Sequence, residues 1–281
     1  MLSYRHGFHA GNFADVFKHV ALVLLLDHLK RKDKGFAYLD THAGAGRYDL
    51  RGEMARKTGE AATGIFKLWN ASEVPAIVTT YLDIIRALNG GNGMPRWYPG
   101  SPLIARALLR PQDRMLLAEL HPADAPLLDL EFRGDKQVQV RREDGYHMLK
   151  AKLPPHERRG MVLIDPAYEL RDEPVRIVRG VQEACQRWAT GIYAIWYPIM
   201  PKVPARKLHE ALAATGLRKI LMAEFCLFPR DNPLGMNGSG MIVINPPWQF
   251  DTEIAALMTW LRQQMDPGNQ GESIVRWLVP E

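Results

Sequence analysis

"GFAYLDTHAGAGRY", residues 35–48, decides how the rest of the chain is read. Its first half is a short apolar run ending at Asp40, and its second half is a turn built on Gly44 and Gly46. A continuous apolar run of this kind suits a strand buried on both faces, as in a parallel sheet. Glycines directly after such a strand let the backbone pass close to a ligand with no Cβ in the way. Six further runs repeat the pattern: RMLLAEL (114–120), KQVQVRRED (136–144), RGMVLID (159–165), TGIYAIWYP (190–198), RKILMAEFCLF (218–228) and GMIVINP (240–246). Helix-like stretches separate most of them, at 100–110, 122–132, 145–152, 173–187 and 203–215.

Alternating strands and helices imply a doubly wound α/β sheet with right-handed crossovers. Between the sixth and seventh runs lies PRDNPLGMNGSG, rich in Pro, Gly and Asn and without helical period. That favours a hairpin-like return, so the seventh strand is expected to run antiparallel. Seven strands with the last reversed is the layout of the Rossmann-like methyltransferase core that uses S-adenosylmethionine (SAM). Residues 49–97 interrupt it after strand one. Apolar residues at helical spacing in GIFKLWNAS and AIVTTYLDIIRALNGGNG read as a small helical insertion within one domain spanning 1–281. The delayed helix then starts at YPGSPLIARALLR, with Ser101 expected as N-cap and Pro102 in the first helical position.

Bulk properties narrow the function classes. A chain of 281 residues with 47% hydrophobic and 24% charged residues has the make-up of a globular protein. VALVLLLDHLK (20–30) is the longest apolar candidate, and Asp27 and His28 cut it far below the roughly 18 residues that span a bilayer. The N-terminus lacks the apolar stretch of a secretory signal, and Cys185 and Cys226 make no disulfide framework. A cytoplasmic location is expected. The histidines lack metal-ligand spacing with cysteine, so no metal site is expected. The net charge of +5 is compatible with a nucleic-acid partner, and the basic residues cluster at 5–6, 30–32, 51–57, 141–142 and 158–159.

The strand ends carry the chemistry. Glu119 ends strand two, where a carboxylate can accept both ribose hydroxyls of an adenosyl group. Asp144-Gly145 ends strand three, placed either for an adenine amine or as a plain helix N-cap. Strand four ends in Asp165-Pro166-Ala167-Tyr168, one residue from the Asp/Asn-Pro-Pro-aromatic pattern. An aromatic amine is a poor nucleophile because its lone pair is delocalised. A carboxylate and a backbone carbonyl aimed at its hydrogens pull the nitrogen towards tetrahedral geometry and stabilise the charge that develops. Proline fixes φ and so fixes that carbonyl, and the aromatic ring can stack on a base taken out of its helix. Ala167 removes some rigidity and none of these groups. A full Asn245-Pro246-Pro247-Trp248 follows strand seven, but an antiparallel strand ends at the wrong edge of the sheet, so it reads as a structural turn.

Long motifs then point to a family. LSYRHGFHAGNFADVFKH (2–19), YLDTHAGAGRY, WYPGSPLIARALL, ELHP, KAKLPP, LIDPAYE, ATGIYAIWYP, SGMIVINPPW and the final VRWLVPE resemble the ribosomal RNA large subunit methyltransferase J family. The resemblance implies SAM-dependent methylation of adenine N6 at position 2030 of 23S ribosomal RNA, by a monomer acting on protein-poor RNA. It implies His19 and His42 in the SAM pocket with Ser101 at the late helix start, Glu119 on the ribose, and Asp144 and Gly145 at the adenine ring, beside the cofactor turn read above at Gly44. Asp165 would be the catalytic acceptor with Pro166 and Tyr168, and Tyr4, Arg5 and His6 would touch RNA. Two alternatives share these features: a DNA adenine-N6 methyltransferase, and a SAM-binding RNA-assembly factor whose catalysis is impaired by Ala167. Against the first, the chain has no extra block for reading duplex DNA in the major groove.

Overall fold

The computed structural model describes residues 4–91, 93–201, 205–233, 235–266 and 268–281. Its centre is α1 (Phe13–Lys30), whose N-cap Asn12 accepts the Asp15 backbone N–H. Fifteen of its eighteen residues are buried, because the helix lies between the sheet and other helices. Full burial of each Val, Leu or Phe contributes about 1.5–3 kcal/mol. Asp15, Lys18 and His19 nevertheless sit among these apolar residues. Their spacing puts all three on one helix face, so that face has to meet polar partners.

The main sheet has eight strands: β1 (Ala37–Asp40), β4 (Arg114–Ala118), β5 (Val138–Arg141), β6 (Gly160–Ile164), β7 (Ile192–Ile199), β8 (Ile220–Cys226), β9 (Gly238–Ile244) and β10 (Ser273–Val279). Their order is β10-β8-β9-β7-β6-β1-β4-β5. From β5 to β7 neighbouring strands are parallel, while β9 runs antiparallel to both β7 and β8. The seventh expected strand is therefore reversed, as its hairpin-like connection implies. The sheet exceeds the expected seven strands by β10, which pairs antiparallel with β8 at the edge. SIVRWLV is half exposed with Arg276 at its middle, so it lacks the continuous apolar run that marks a central strand.

Crossover helices occupy the expected stretches: α5 (Ser101–Leu108), α6 (Ala125–Glu131), α7 (Gly145–Lys152), α8 (Glu173–Arg187) and α9 (Ala205–Ala213). Residues 203 and 204 of the last expected helix lie outside the described residues. α10 (Phe250–Met265) follows β9 and packs on α1 and β10. After β1 the chain forms β2 (Arg47–Asp49), then α2 (Glu53–Thr58), α3 (Ile65–Leu68) and α4 (Ala76–Asn89), and returns through β3 (Trp97–Pro99). β2 and β3 pair antiparallel, Asp49 opposite Trp97, so the helical excursion leaves and returns at one point.

Register places the chemistry. Asp40 lies opposite Leu117 of β4 and Leu163 of β6. The Thr41 N–H donates to the Leu163 carbonyl, that of Ala43 to Ala118, and that of Glu119 to Arg141. The residues after β1, β4, β5 and β6 thus share one edge, and β1 is where the strand order reverses. Ligands of open α/β sheets bind outside the strand ends at such a point.

Candidate active site

A cavity of about 770 Å³ opens at that edge, within the range of small-molecule sites. On its floor the β1 turn is shaped by glycine. Gly44 has φ +63°, and a Cβ there would lie 2.3 Å from the Tyr48 hydroxyl. Its N–H donates to Glu119 Oε2 at 2.7 Å, and the His121 N–H donates to Oε1 at 2.6 Å. Burial pushes the Glu119 carboxyl up, against these two backbone donors. Gly145 has a packing reason, since a Cβ would come within 2.2 Å of the Thr41 carbonyl oxygen.

Two expectations for this region change. Gly100, not Ser101, is the N-cap of α5, and Pro102 is its second residue. The Ser101 hydroxyl has a better acceptor and donates to Asp40 Oδ2 at 2.7 Å. Asp40 also receives Tyr38 Oη at 2.7 Å and the His42 N–H at 3.2 Å. It is fully buried, which pushes its carboxyl up to about 6 despite those donors. Of the two roles open to Asp144, the N-cap is present: Oδ1 accepts from the Tyr146 and His147 N–H groups, and Arg176 holds Oδ2 at 2.6 Å. Asp144 still borders the cavity.

Asp165 borders the same cavity. Its Oδ2 accepts from Lys18 Nζ at 2.7 Å, and the same ammonium pairs with Asp15 Oδ1 at 2.9 Å. The series continues outward. Asp15 Oδ2 meets His6 Nε2 at 2.8 Å, and His6 Nδ1 meets the Tyr4 hydroxyl at 2.9 Å. One orientation satisfies both His6 contacts, with Tyr4 donating to Nδ1 and Nε2–H donating to the carboxylate. Burial alone would lower Lys18, but Asp15 and Asp165 raise it well above an ordinary lysine. Asp15, despite burial, is held well below the usual carboxylate range by His6 and Lys18. Sequence reasoning missed Asp15 and Lys18. The available signal was a polar Asp15-Lys18-His19 face on an otherwise apolar helix.

Asp165-Pro166-Ala167-Tyr168 is a loop between β6 and α8. Tyr168 has φ +53°, a conformation uncommon for a residue with a bulky side chain. It is held there by its hydroxyl, which donates to the Trp196 carbonyl at 2.8 Å, and by an edge-on contact with the Trp196 ring. Asn245 also has positive φ, but its amide donates to the Ala189 and Gly191 carbonyls at the other edge of the sheet. The intact tetrapeptide is thus a turn, away from the cavity.

The cavity brings together Tyr4, His6, His19, His42, Gly44, Ser101, Glu119, Asp144, Gly145, Asp165, Pro166 and Tyr168. Arg5 stands apart, paired with Asp124 at 3.4 Å. His19 Nδ1 meets the Tyr98 hydroxyl at 2.9 Å, while its Nε2 is buried without a hydrogen-bond partner among the described residues. Burial pushes His19 down to about 3 and His42 down to about 4, so both imidazoles are neutral. Among the described residues no group of three or more His, Cys, Asp or Glu is arranged to hold a metal ion, and no helix is long and apolar enough to cross a membrane.

A parallel sheet reversing at β1, with a reversed strand beyond β7 and its cavity at the reversal point, places the chain among the Rossmann-like methyltransferases. Comparison with known proteins narrows that class. Residues 33–279 match the family described as "Ribosomal RNA large subunit methyltransferase D, RlmJ", and the chain belongs to that family. The proteins named Ribosomal RNA large subunit methyltransferase J from Escherichia coli (strain K12) and Haemophilus influenzae (strain Rd) are 49% and 48% identical to it. Each alignment covers the whole of both chains. A crystal structure of a Legionella pneumophila protein shares 36% identity and superposes with a TM-score of 0.88, covering 96% of this chain and 98% of that one.

The neutral histidines give a pH prediction. His42 titrates at about 4 when folded and at about 6.5 when unfolded. Between those values the unfolded chain binds more protons, so this contribution to stability is full above 6.5 and is lost as pH falls through the window. In urea unfolding at pH 7 and pH 5, His42→Gln should lose less stability than wild type by about 1–2 kcal/mol. An equal loss in both proteins would show that His42 is not held neutral.

Proposed function

We propose that this protein transfers the methyl group of SAM to the N6 amine of one adenine in 23S ribosomal RNA. The observation that carries this reading is that Asp165 lines one cavity together with the Gly44 turn and Glu119. The family name and its curated relatives support a ribosomal RNA substrate, and the Asp-Pro-x-aromatic loop supports an amine acceptor. We read residues 1–281 as one catalytic domain with 49–97 as its helical insertion.

The residues present fit the cofactor. The Gly44 turn is a cradle that a Cβ would fill, Glu119 offers its remaining lone pairs to ribose hydroxyls, and His19, whose Nε2 is an unpartnered buried polar atom, lines the same cavity. His42, Ser101, Asp144 and Gly145 would complete the pocket. When bound, SAM supplies a methyl group on a positively charged sulfur. The rest of the chemistry falls to the chain. Lys18 occupies Asp165 Oδ2, so Oδ1 is the oxygen available to accept one hydrogen of the amine. The carbonyl of Pro166 accepts the other, and the two acceptors localise the nitrogen lone pair. Tyr168 and Trp196 form the aromatic wall for a base taken out of its stack. The positive charge arising on nitrogen faces the Asp165 carboxylate, which receives the proton that must leave. Tyr4 and His6, with Arg5 nearby, meet the RNA at the cavity mouth. The resemblance extends this reading to a cytoplasmic monomer acting on protein-poor RNA.

The test is a methyl-transfer assay with labelled SAM on naked 23S RNA, on duplex DNA and without nucleic acid. Label in RNA as N6-methyladenine supports the reading. Label in DNA alone, or SAM binding without transfer, supports one of the two alternatives. Asp165→Ala should lower the rate at saturating substrate by about a hundredfold or more while SAM still binds. Retained turnover would remove Asp165 from the mechanism. Ala167→Pro removes a backbone N–H and fixes φ at an exposed position. Preorganising the loop in this way should raise the rate about two- to fivefold, and a lower rate would mean that the loop must move.

A further inference from the structure

We propose that the outer face of α2, carrying Arg56 and Lys57, holds the RNA backbone on one side of the target nucleotide. This rests on the RNA-methylating role proposed above and gives the helical excursion a task. The first support is position. α2 packs on the short 3-10 turn His6–Phe8: a Cβ on Gly7 would lie 2.8 Å from Met54 Cε, and the Thr58 hydroxyl donates to the Phe8 carbonyl. The Lys57 ammonium lies 5.9 Å from the Phe8 ring centroid. His6, the first residue of that turn, and His9, which follows it, both border the cavity. So does Glu60, two residues beyond α2, which accepts from His9 and from Asn12 Nδ2. α2 itself does not line the cavity, but it packs directly behind the residues that form this part of its rim.

The second support is charge. Arg56 and Lys57 are both exposed, and among the described residues neither has a carboxylate partner. Other cations of this region are engaged: Arg47 pairs with Glu131, Arg86 with Asp83 and Arg96 with Asp49, while Arg51 and Lys67 donate to the Met94 and Met265 carbonyls. Two adjacent exposed cations without a carboxylate partner, beside the rim, suit phosphates. A base drawn into the cavity must leave its stack, and its flanking backbone then has to be held in register. Contacts to phosphate supply that positioning without reading sequence, and they release counterions, which makes them measurable by salt dependence.

The experiment compares Arg56→Glu/Lys57→Glu with Lys136→Glu/Arg218→Glu, an equal charge change just before β5 and β8 at the opposite sheet edge. The α2 pair should raise KM for naked 23S RNA by about tenfold or more while kcat, SAM affinity and Tm stay at wild-type values. Arg56→Ala/Lys57→Ala should reduce the slope of log affinity against log salt by about 1.4, or 0.7 per single-strand phosphate. The Lys136/Arg218 pair should change neither KM nor the slope by more than experimental error. A wild-type KM and slope in the α2 variants would overturn the proposal, as would an equal loss in both charge-reversed pairs, which would mean steering by net charge alone. Failure of the wild-type protein to methylate any RNA would instead overturn the underlying function.

Discussion

The Lys18 ammonium, buried between Asp15 and Asp165, is the interaction on which the site depends. It joins the central helix to the loop after β6, residues 147 positions apart in the chain. Taking these charges out of water is costly, and only mutual pairing offsets it. Removing Lys18 would leave the buried Asp15 carboxylate without its ammonium partner, at a cost of about 3–5 kcal/mol, whereas removing Asp165 leaves the Lys18–Asp15 pair in place. The arrangement therefore does two things at once. It fixes the direction in which Asp165 points, and it ties that direction to the N-terminal segment through Asp15, His6 and Tyr4.

Most of the sheet was legible in the sequence because its central strands are buried on both faces. β6 and β8 show no exposed residue, so they appear as unbroken apolar runs. β9 was legible for another reason, the Pro/Gly/Asn-rich connection that cannot form a crossover helix. β10 was not, since an edge strand with Arg276 and Trp277 exposed has no such run. The helix starting at Ser101 was located to within one residue. The missed detail is that Gly100 caps it and the Ser101 hydroxyl turns inward to Asp40, which depends on a neighbour 61 residues away.

The site divides in the same way. Glu119, Asp144 and Asp165 could be found because parallel strands deliver their ends to one edge, a rule that needs only the strand order. His19 and His42 entered through family resemblance and not from any pattern of spacing. Asp15, Lys18 and Trp196 lay hidden because their contacts are set by packing between distant segments. The two tetrapeptides make the point sharply. Asn245-Pro246-Pro247-Trp248 is the better match in letters, yet the direction of β9 carries it to the far edge, where the Asn245 amide nitrogen donates to two backbone carbonyls. Asp165-Pro166-Ala167-Tyr168 departs from the pattern by one residue and stands where the cavity is.

Direction of strand thus outweighs likeness of motif, and the whole account turns on which edge receives the amine. The most direct measurement is a crystal structure of the protein with S-adenosylhomocysteine and an adenine nucleotide. The exocyclic amine should lie about 3 Å from Asp165 Oδ1 and the Pro166 carbonyl, with the ribose of the cofactor on Glu119. An adenine seated beside Asn245, or a cofactor distant from the Gly44 turn, would contradict it.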